Sequence, residues 1–276
     1  MSEAVTGSPA PPLRPYVERY LGYRQEGFAP GVHRGLPSRH LTFIISLADP
    51  VDIAGMPDAH QRPGTYQAFL GGLHAAPATI RHEGTQIGVS LDLTPTGARA
   101  LLGVPAGALA WSVVDLEDVL GPPGRELVDR LADAPTWADR FAVLDAVLAR
   151  RVVPGTGPPP ETVRAWDRLV ASGGTLDVRA LASDVGWSRR HLSERFRSEL
   201  GLPPKVAARV LRFERARRLL QLPARPPLAD VAAACGFYDQ AHLNRDWREL
   251  AGCSPTTWLA EELPSVQDGA AVVGAS

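Results

Sequence analysis

The chain is short of the residues that usually mark a reactive centre. Only two cysteines occur in its 276 residues, Cys235 and Cys253, and both fall near one end, which excludes a disulfide framework. No uninterrupted apolar run approaches the roughly 20 residues that a membrane helix needs. Residues 1–15 lack the basic-then-apolar pattern of a secretory signal. A cytoplasmic location with no membrane partner is therefore expected. His33, His40, His60, His74 and His82 do not form a closely spaced H-x-H with a following acid, and His82-Glu83 stands alone, so no metal site is expected. Phosphate loops, nucleophile elbows and paired carboxylates are equally missing. The expectation is a protein without catalytic residues or cofactor, and not an enzyme.

What is present is a soluble globular composition, 45% hydrophobic and 21% charged, in a chain long enough for two domains. The net charge of −1 hides an asymmetry. Residues 1–159 carry 13 Arg against 16 acids, whereas residues 160–262 carry 15 Arg and Lys205 against 13 acids. Between Ser188 and Arg218 ten basic residues face three acids, an excess of +7 over 31 residues. Phosphates attract such a concentration, although a solvated arginine-rich helix gives the same count.

The run Val153-Pro154-Gly155-Thr156-Gly157-Pro158-Pro159-Pro160 can be neither helix nor central strand and reads as a linker at 153–160. It separates a domain at 16–152 from one at 161–262. Residues 1–15 and 263–276 read as disordered ends. The first domain is β-rich at 40–47, 78–82 and 85–93, as expected of an antiparallel sheet or small barrel, and turns helical after Thr96. Trp137, Phe141, Leu144 and Leu148 form an amphipathic stripe there, a core face in the first instance. The second domain is all helix, at about 161–172, 177–184, 189–200, 204–221, 228–235, 240–251 and 255–262. The fold class is thus α+β, a β-rich domain with trailing helices followed by an all-α domain.

One pattern occurs twice in the second domain. Leu181-Ala182-Ser183-Asp184-Val185-Gly186-Trp187-Ser188 and Val231-Ala232-Ala233-Ala234-Cys235-Gly236-Phe237-Tyr238-Asp239 each place an Ala four residues before a Gly, then an aromatic, then a polar cap. The small Ala lets two helices approach and the Gly allows the sharp turn between them, the logic of a helix-turn-helix. At 100° per residue, Leu192, Phe196 and Glu199 lie on one side of the following helix, and Leu243, Trp247 and Leu250 on one side of its counterpart. The opposite faces are candidate readers of a major groove. They carry Arg190, Ser193, Glu194 and Arg197 in the first unit, and Ala241, Asn244, Arg245 and Arg248 in the second, with His242 at the edge. Ser188 and Asp239 sit at N-cap positions, and Arg189 and Gln240 open the helices where free N–H groups suit phosphate. The helix at 204–221 spaces the units. Its Arg212, Arg215 and Arg218 are read as general electrostatic or structural groups, and Cys235 as a small core hydrophobe.

The tandem arrangement resembles the AraC/XylS transcriptional regulators, most specifically at Gly236-Phe237-Tyr238-Asp239-Gln240-Ala241-His242-Leu243-Asn244-Arg245 through Gly252-Cys253-Ser254-Pro255. The likeness covers about 175–262. Trp247 stands where Phe is usual, and Glu194 where many members have a basic or neutral polar residue. The resemblance implies a DNA-binding regulator, expected as an activator, with a cupin-like barrel at 16–152 for effector binding or dimerisation. Double-stranded DNA is the partner implied, with RNA polymerase, a small-molecule effector and a second copy of the chain as further candidates. No specific motif within 16–152 identifies ligand-binding residues. A barrel enzyme fused to a DNA-binding domain, or a protein-interaction module in its place, stays open as an alternative.

Overall fold

The β-branched run around Leu41-Thr42-Phe43-Ile44-Ile45-Ser46 forms the middle of a double-sheet domain. A computed structural model describes residues 2–261. The first domain contains strands β1 (Ser2–Gly7), β2 (Val17–Gln25), β3 (Gly31–Gly35), β4 (Leu41–Ser46), β5 (Val51–Gly55), β6 (Gly64–Tyr66), β7 (Ala68–Gly71), β8 (Ala78–His82), β9 (Gln86–Leu93) and β10 (Val113–Asp115). Helices α1 (Ala98–Leu102), α2 (Leu116–Leu120), α3 (Pro122–Asp133) and α4 (Trp137–Ala149) complete it. One antiparallel sheet has the order β1-β2-β9-β4-β7-β10 and the other β3-β8-β5-β6.

Strand alternation decides what each sheet covers. Leu41, Phe43 and Ile45 of β4 join a large core with Leu127, Leu131, Leu144 and Leu148 of α3 and α4. Ile44, on the opposite face, joins Ile53, Phe69, Ile80 and Val113 in a smaller core between the sheets. The stripe on α4 is core as expected: Trp137 lies against Gly22, and Phe141 lies against Gly7 and stacks on Tyr20.

The start of the chain differs from the expectation of disorder over 1–15. Residues 2–7 pair with β2 from Ser2↔Gln25 to Gly7↔Tyr20, and Leu13 is fully buried. The Ala/Pro texture concealed this because the strand acquires its hydrogen bonds only from an edge some 20 residues on.

The second domain contains α5 (Pro160–Ala171), α6 (Val178–Asp184), α7 (Arg189–Glu199), α8 (Pro204–Leu220), α9 (Leu228–Ala234), α10 (Gln240–Ala251) and α11 (Pro255–Glu261). No helix or strand forms between α4 and α5. The beginning of that stretch is nevertheless tied down, since Arg151 donates to the Leu101 and Leu120 carbonyls and the Val153 N–H to Ala100. Tail positions 263–276 lie outside the described residues. The large core runs on without a break from the helices behind the six-stranded sheet into the second domain, where Leu181, Phe196, Phe213 and Trp247 belong to it. Among the described residues no helix is long and apolar enough to cross a membrane.

Candidate nucleic-acid interface

The two repeated segments fold alike down to single hydrogen bonds. Gly186 and Gly236 take left-handed φ values of 71° and 75°, a conformation that costs a side-chain-bearing residue about 1 kcal/mol or more. The next N–H then returns to the buried Ala: Trp187 to the Ala182 carbonyl at 2.9 Å, Phe237 to the Ala232 carbonyl at 3.0 Å. Both caps form. Ser188 Oγ accepts from the His191 N–H at 3.2 Å, and Asp239 Oδ1 from the His242 N–H at 2.7 Å. Each turn aromatic also meets a histidine ring edge-on, Trp187 with His191 and Phe237 with His242. The extra residue of the second turn is Tyr238, 92% exposed at the mouth of the unit. Sequence reading passed over it, although a large aromatic in a polar turn was the available signal.

Leu192, Phe196, Leu243, Trp247 and Leu250 are buried, so the outward faces are those expected. On α7, Ser188, Arg189, Arg190, Glu194 and Arg197 are exposed and Ser193 is half-buried. Arg190 and Glu194 bond one another at 2.9 Å, and that bond holds the Glu194 carboxyl below its ordinary range. On α10, Asp239, Gln240, Ala241, Arg245 and Arg248 are exposed. Two members of the expected face depart from it. Asn244 is half-buried, with Oδ1 enclosed and unpaired among the described residues. His242 is half-buried, and its Nδ1 accepts from the Tyr238 N–H at 3.2 Å, so the ring is committed to its own turn. Their burial comes from neighbours that a helical wheel does not contain.

The basic excess around α8 is also less open than its count implies. Arg209 bonds Asp246 of α10 at 3.1 Å and pairs with Glu249. Arg212 donates to the Gly174 carbonyl at 3.1 Å and lies over the Phe237 ring, while Arg217 is buried. Arg209 and Arg212 thus fasten the second unit to α8. Arg215, Arg218, Arg195 and Lys205 remain exposed. Cys235 is a buried core residue, and burial pushes its thiol pKa up.

Sequence reading missed the seam between the domains. Glu199, at the C-terminal end of α7, is 6% exposed and receives two hydrogen bonds from Arg99 of α1, at 2.9 and 3.2 Å. Beside it Gly107 approaches the backbone of Arg197 and Ser198 so closely that a Cβ would lie 2.3 Å from the Ser198 carbonyl oxygen. On the far side, Arg34 of β3 bonds Glu261 of α11 at 2.9 Å. A charged bridge between two domains leaves no local sequence signal.

Between the sheets lies a cavity of about 180 Å³, walled by Ile44, Ile53, Phe69 and Ile80 among others. Four histidines border it, His33, His40, His74 and His82. Burial lowers the His33 pKa to about 4, with His82 adding to the effect, and burial likewise lowers His74 to about 4. No group of three or more metal-ligating side chains occurs among the described residues.

A double-sheet domain seated on two stacked helix-turn-helix units defines a class of two-domain helix-turn-helix proteins. Residues 181–261 match the family described as Helix-turn-helix domain, and residues 6–115 match one described as Domain of unknown function (DUF6597). Residues 181–261 thus form a helix-turn-helix domain of the AraC type. It is similar to the "Uncharacterized HTH-type transcriptional regulator YbfI" of Bacillus subtilis, 32% identical over 68 residues, 25% of this chain and 24% of that protein. The match thus spans about a quarter of the length of that relative. The crystal structure of ToxT from Vibrio cholerae O395 covers 94% of this chain and 97% of its own, at 10% identity and a TM-score of 0.51. Wild-type ToxT of strain SCE256 with unsaturated fatty acid bound covers 87% and 94%, at 12% identity and a TM-score of 0.52. At such identities the likeness is one of fold.

Proposed function

We propose that the protein is a sequence-specific DNA-binding regulator of transcription whose two helix-turn-helix units read successive major-groove segments. The observation that carries this reading is the repeated turn. Two left-handed glycines, with matched return bonds and matched caps, present two helices whose outer ends are exposed and rich in arginine. Helix α8, with 17 residues and so about 25 Å long, spaces them for neighbouring grooves on one face of the duplex. Arg190 and Arg245 are the base readers, each able to give two bonds to guanine O6 and N7. Arg189, Arg197, Gln240 and Arg248 take phosphates, with Tyr238 beside them. Binding frees Arg190 from Glu194 at small cost, because both side chains are exposed and water screens the pair. Glu194 then accepts from cytosine N4.

In this reading the double-sheet domain takes a small-molecule effector in the cavity between its sheets, and the chain is a regulator, not an enzyme. That ToxT, of the same fold, is bound by an unsaturated fatty acid supports an effector in general and says nothing of its identity here. RNA polymerase and a second copy of the chain are the protein partners the reading requires for an effect on transcription. The test is selection of bound duplexes from a random pool by the full-length protein. Two preferred stretches, centred about one helical turn apart, are expected. Uniform recovery of all sequences even at low salt would sink the reading.

A further inference from the structure

We infer that the cavity between the sheets binds an uncharged molecule about the size of one substituted ring, bearing both a hydrogen-bond donor and an acceptor. The inference rests on the proposal above that the double-sheet domain receives an effector, and it names the chemical class.

Size comes first. The cavity measures about 180 Å³, and a protein cavity of about 150 Å³ accommodates benzene. The walls contributed by Ile44, Ile53, Phe69, Ile80 and Val113 suit a ring. Two polar groups in the lining have unfilled capacity. Tyr23 is 5% exposed, its hydroxyl lies over Gly88, and it has no hydrogen-bond partner among the described residues. Burial raises its pKa, so it stays an O–H donor. His74 Nδ1 meets the Ala76 carbonyl at 2.5 Å. A carbonyl only accepts, so Nδ1 carries the hydrogen, and Nε2 of this neutral ring is left as an acceptor without a described partner. A ligand satisfying both must accept from one side and donate to the other.

Charge comes second, and strand register settles it. His33 pairs with Ile80 across β3 and β8, on the cavity face, whereas Arg34 and Arg81 pair with Thr79 and Val32 on the other. Both arginines nevertheless belong to the cavity lining, and each is already held by a carboxylate, Arg34 by Glu261 and Arg81 by Asp52. The remaining acids at the border, Asp49 and Glu83, are exposed. A carboxylate entering the cavity would meet the neutral His33 and His74 rings and a protonated phenol, and would lose its hydration beside two guanidiniums already committed to Glu261 and Asp52. An ammonium would find no buried carboxylate along the walls.

The experiment compares benzamide, benzoate and benzylammonium, three molecules of one shape and different charge, by calorimetric titration of the full-length protein. Benzamide is expected to bind at least tenfold more tightly than either ion, with Tyr23→Phe weakening it severalfold. Gly71→Leu is expected to abolish binding, because the new side chain fills the cavity while its Cβ meets nothing nearer than the Thr42 carbonyl oxygen at 3.8 Å. Duplex selection by the Gly71→Leu protein should be unchanged, which guards against misfolding. Benzoate or benzylammonium binding as well as benzamide, and lost in Gly71→Leu, overturns the uncharged class and leaves the effector reading standing. Unchanged benzamide affinity in Tyr23→Phe overturns the hydrogen-bonding part. Binding that survives in Gly71→Leu, or no binding by any of the three at millimolar concentration, overturns both the class and the effector cavity.

Discussion

In the first helix-turn-helix unit the reading helix α7 ends against the double-sheet domain, where Glu199 meets Arg99 and Gly107 touches its last turn. In the second, α10 is bound along its length to α8, with Asp246 held by Arg209 and Trp247 wedged against Phe213 and Trp258. Turns and caps are the same in both, so the difference lies in what stands behind each helix. The second unit is the more tightly packed within its own domain, although its end also meets the double-sheet domain, at Gly252 beside Pro77 and through Glu261 with Arg34. The first meets that domain through the buried Glu199, and its outer arginine is held by a neighbouring glutamate, not by the fold.

The sharpest test of that contrast is the core. Trp247→Ala should lower stability by about 3–5 kcal/mol in chemical denaturation, and by more than Phe196→Ala. Trp247 has two aromatic neighbours, at 4.7 and 5.4 Å, whereas Phe196 has Trp166 at 6.5 Å. A smaller loss at Trp247 would break the claim that the second unit is the more tightly packed. Next is Asp246→Ala, which strips from Arg209 the more buried of its two carboxylate partners and should cost about 2–3 kcal/mol while leaving the first unit's preferred bases intact.

Acid probes the other side of the comparison. His33 and His74 keep their rings neutral in the folded state, with pKa values near 4 against the ordinary 6.5. As pH falls from 6.5 toward 4 the unfolded chain takes up protons that the folded one refuses, so stability is full above 6.5 and declines across that window. Both rings border the cavity, where water reduces the effect, and about 1–3 kcal/mol in total is expected. Thermal unfolding between pH 7 and pH 4 should therefore show the double-sheet domain, and with it the docking of α7, failing before the second unit. Flat stability over this range would contradict the buried neutral rings.

Smaller still are the effects at the DNA. Arg245→Ala should lose about 1–3 kcal/mol at one base position and relax preference there, seen in selected duplexes. Arg190→Ala should do the same in the other segment. A uniform loss over all sequences would make either residue a phosphate contact. Least of all, Glu199→Gln should cost about 1 kcal/mol and alter chiefly how strongly the two domains unfold together.

Local chemistry was legible in the residues. The caps Ser188 and Asp239, the turns at Gly186 and Gly236 and the buried Ala182 and Ala232 all follow from contacts within about five residues, and most helix ends fell within a residue of expectation. In the first domain the runs around β4, β8 and β9 were readable because they are β-branched. The other strands are short or broken by Gly and polar residues and exist through partners elsewhere in the chain. Among the site residues, His242 and Asn244 are half-buried, a detail that a helical wheel does not contain because it assigns a face and omits the helix packed beside it.

From the residues alone came two caps, two glycine turns and two amphipathic helices, because φ, ψ and capping bonds are decided over one or two helical turns. Only the tertiary structure decided that Arg209 and Arg212 are fasteners, that Glu199 is a bridge and that the two sheets enclose a cavity. Those outcomes depend on groups 37 to 100 residues apart, such as Arg209 with Asp246 and Arg99 with Glu199. Charge counted along a chain does not reveal which opposite charge folding will bring to meet it.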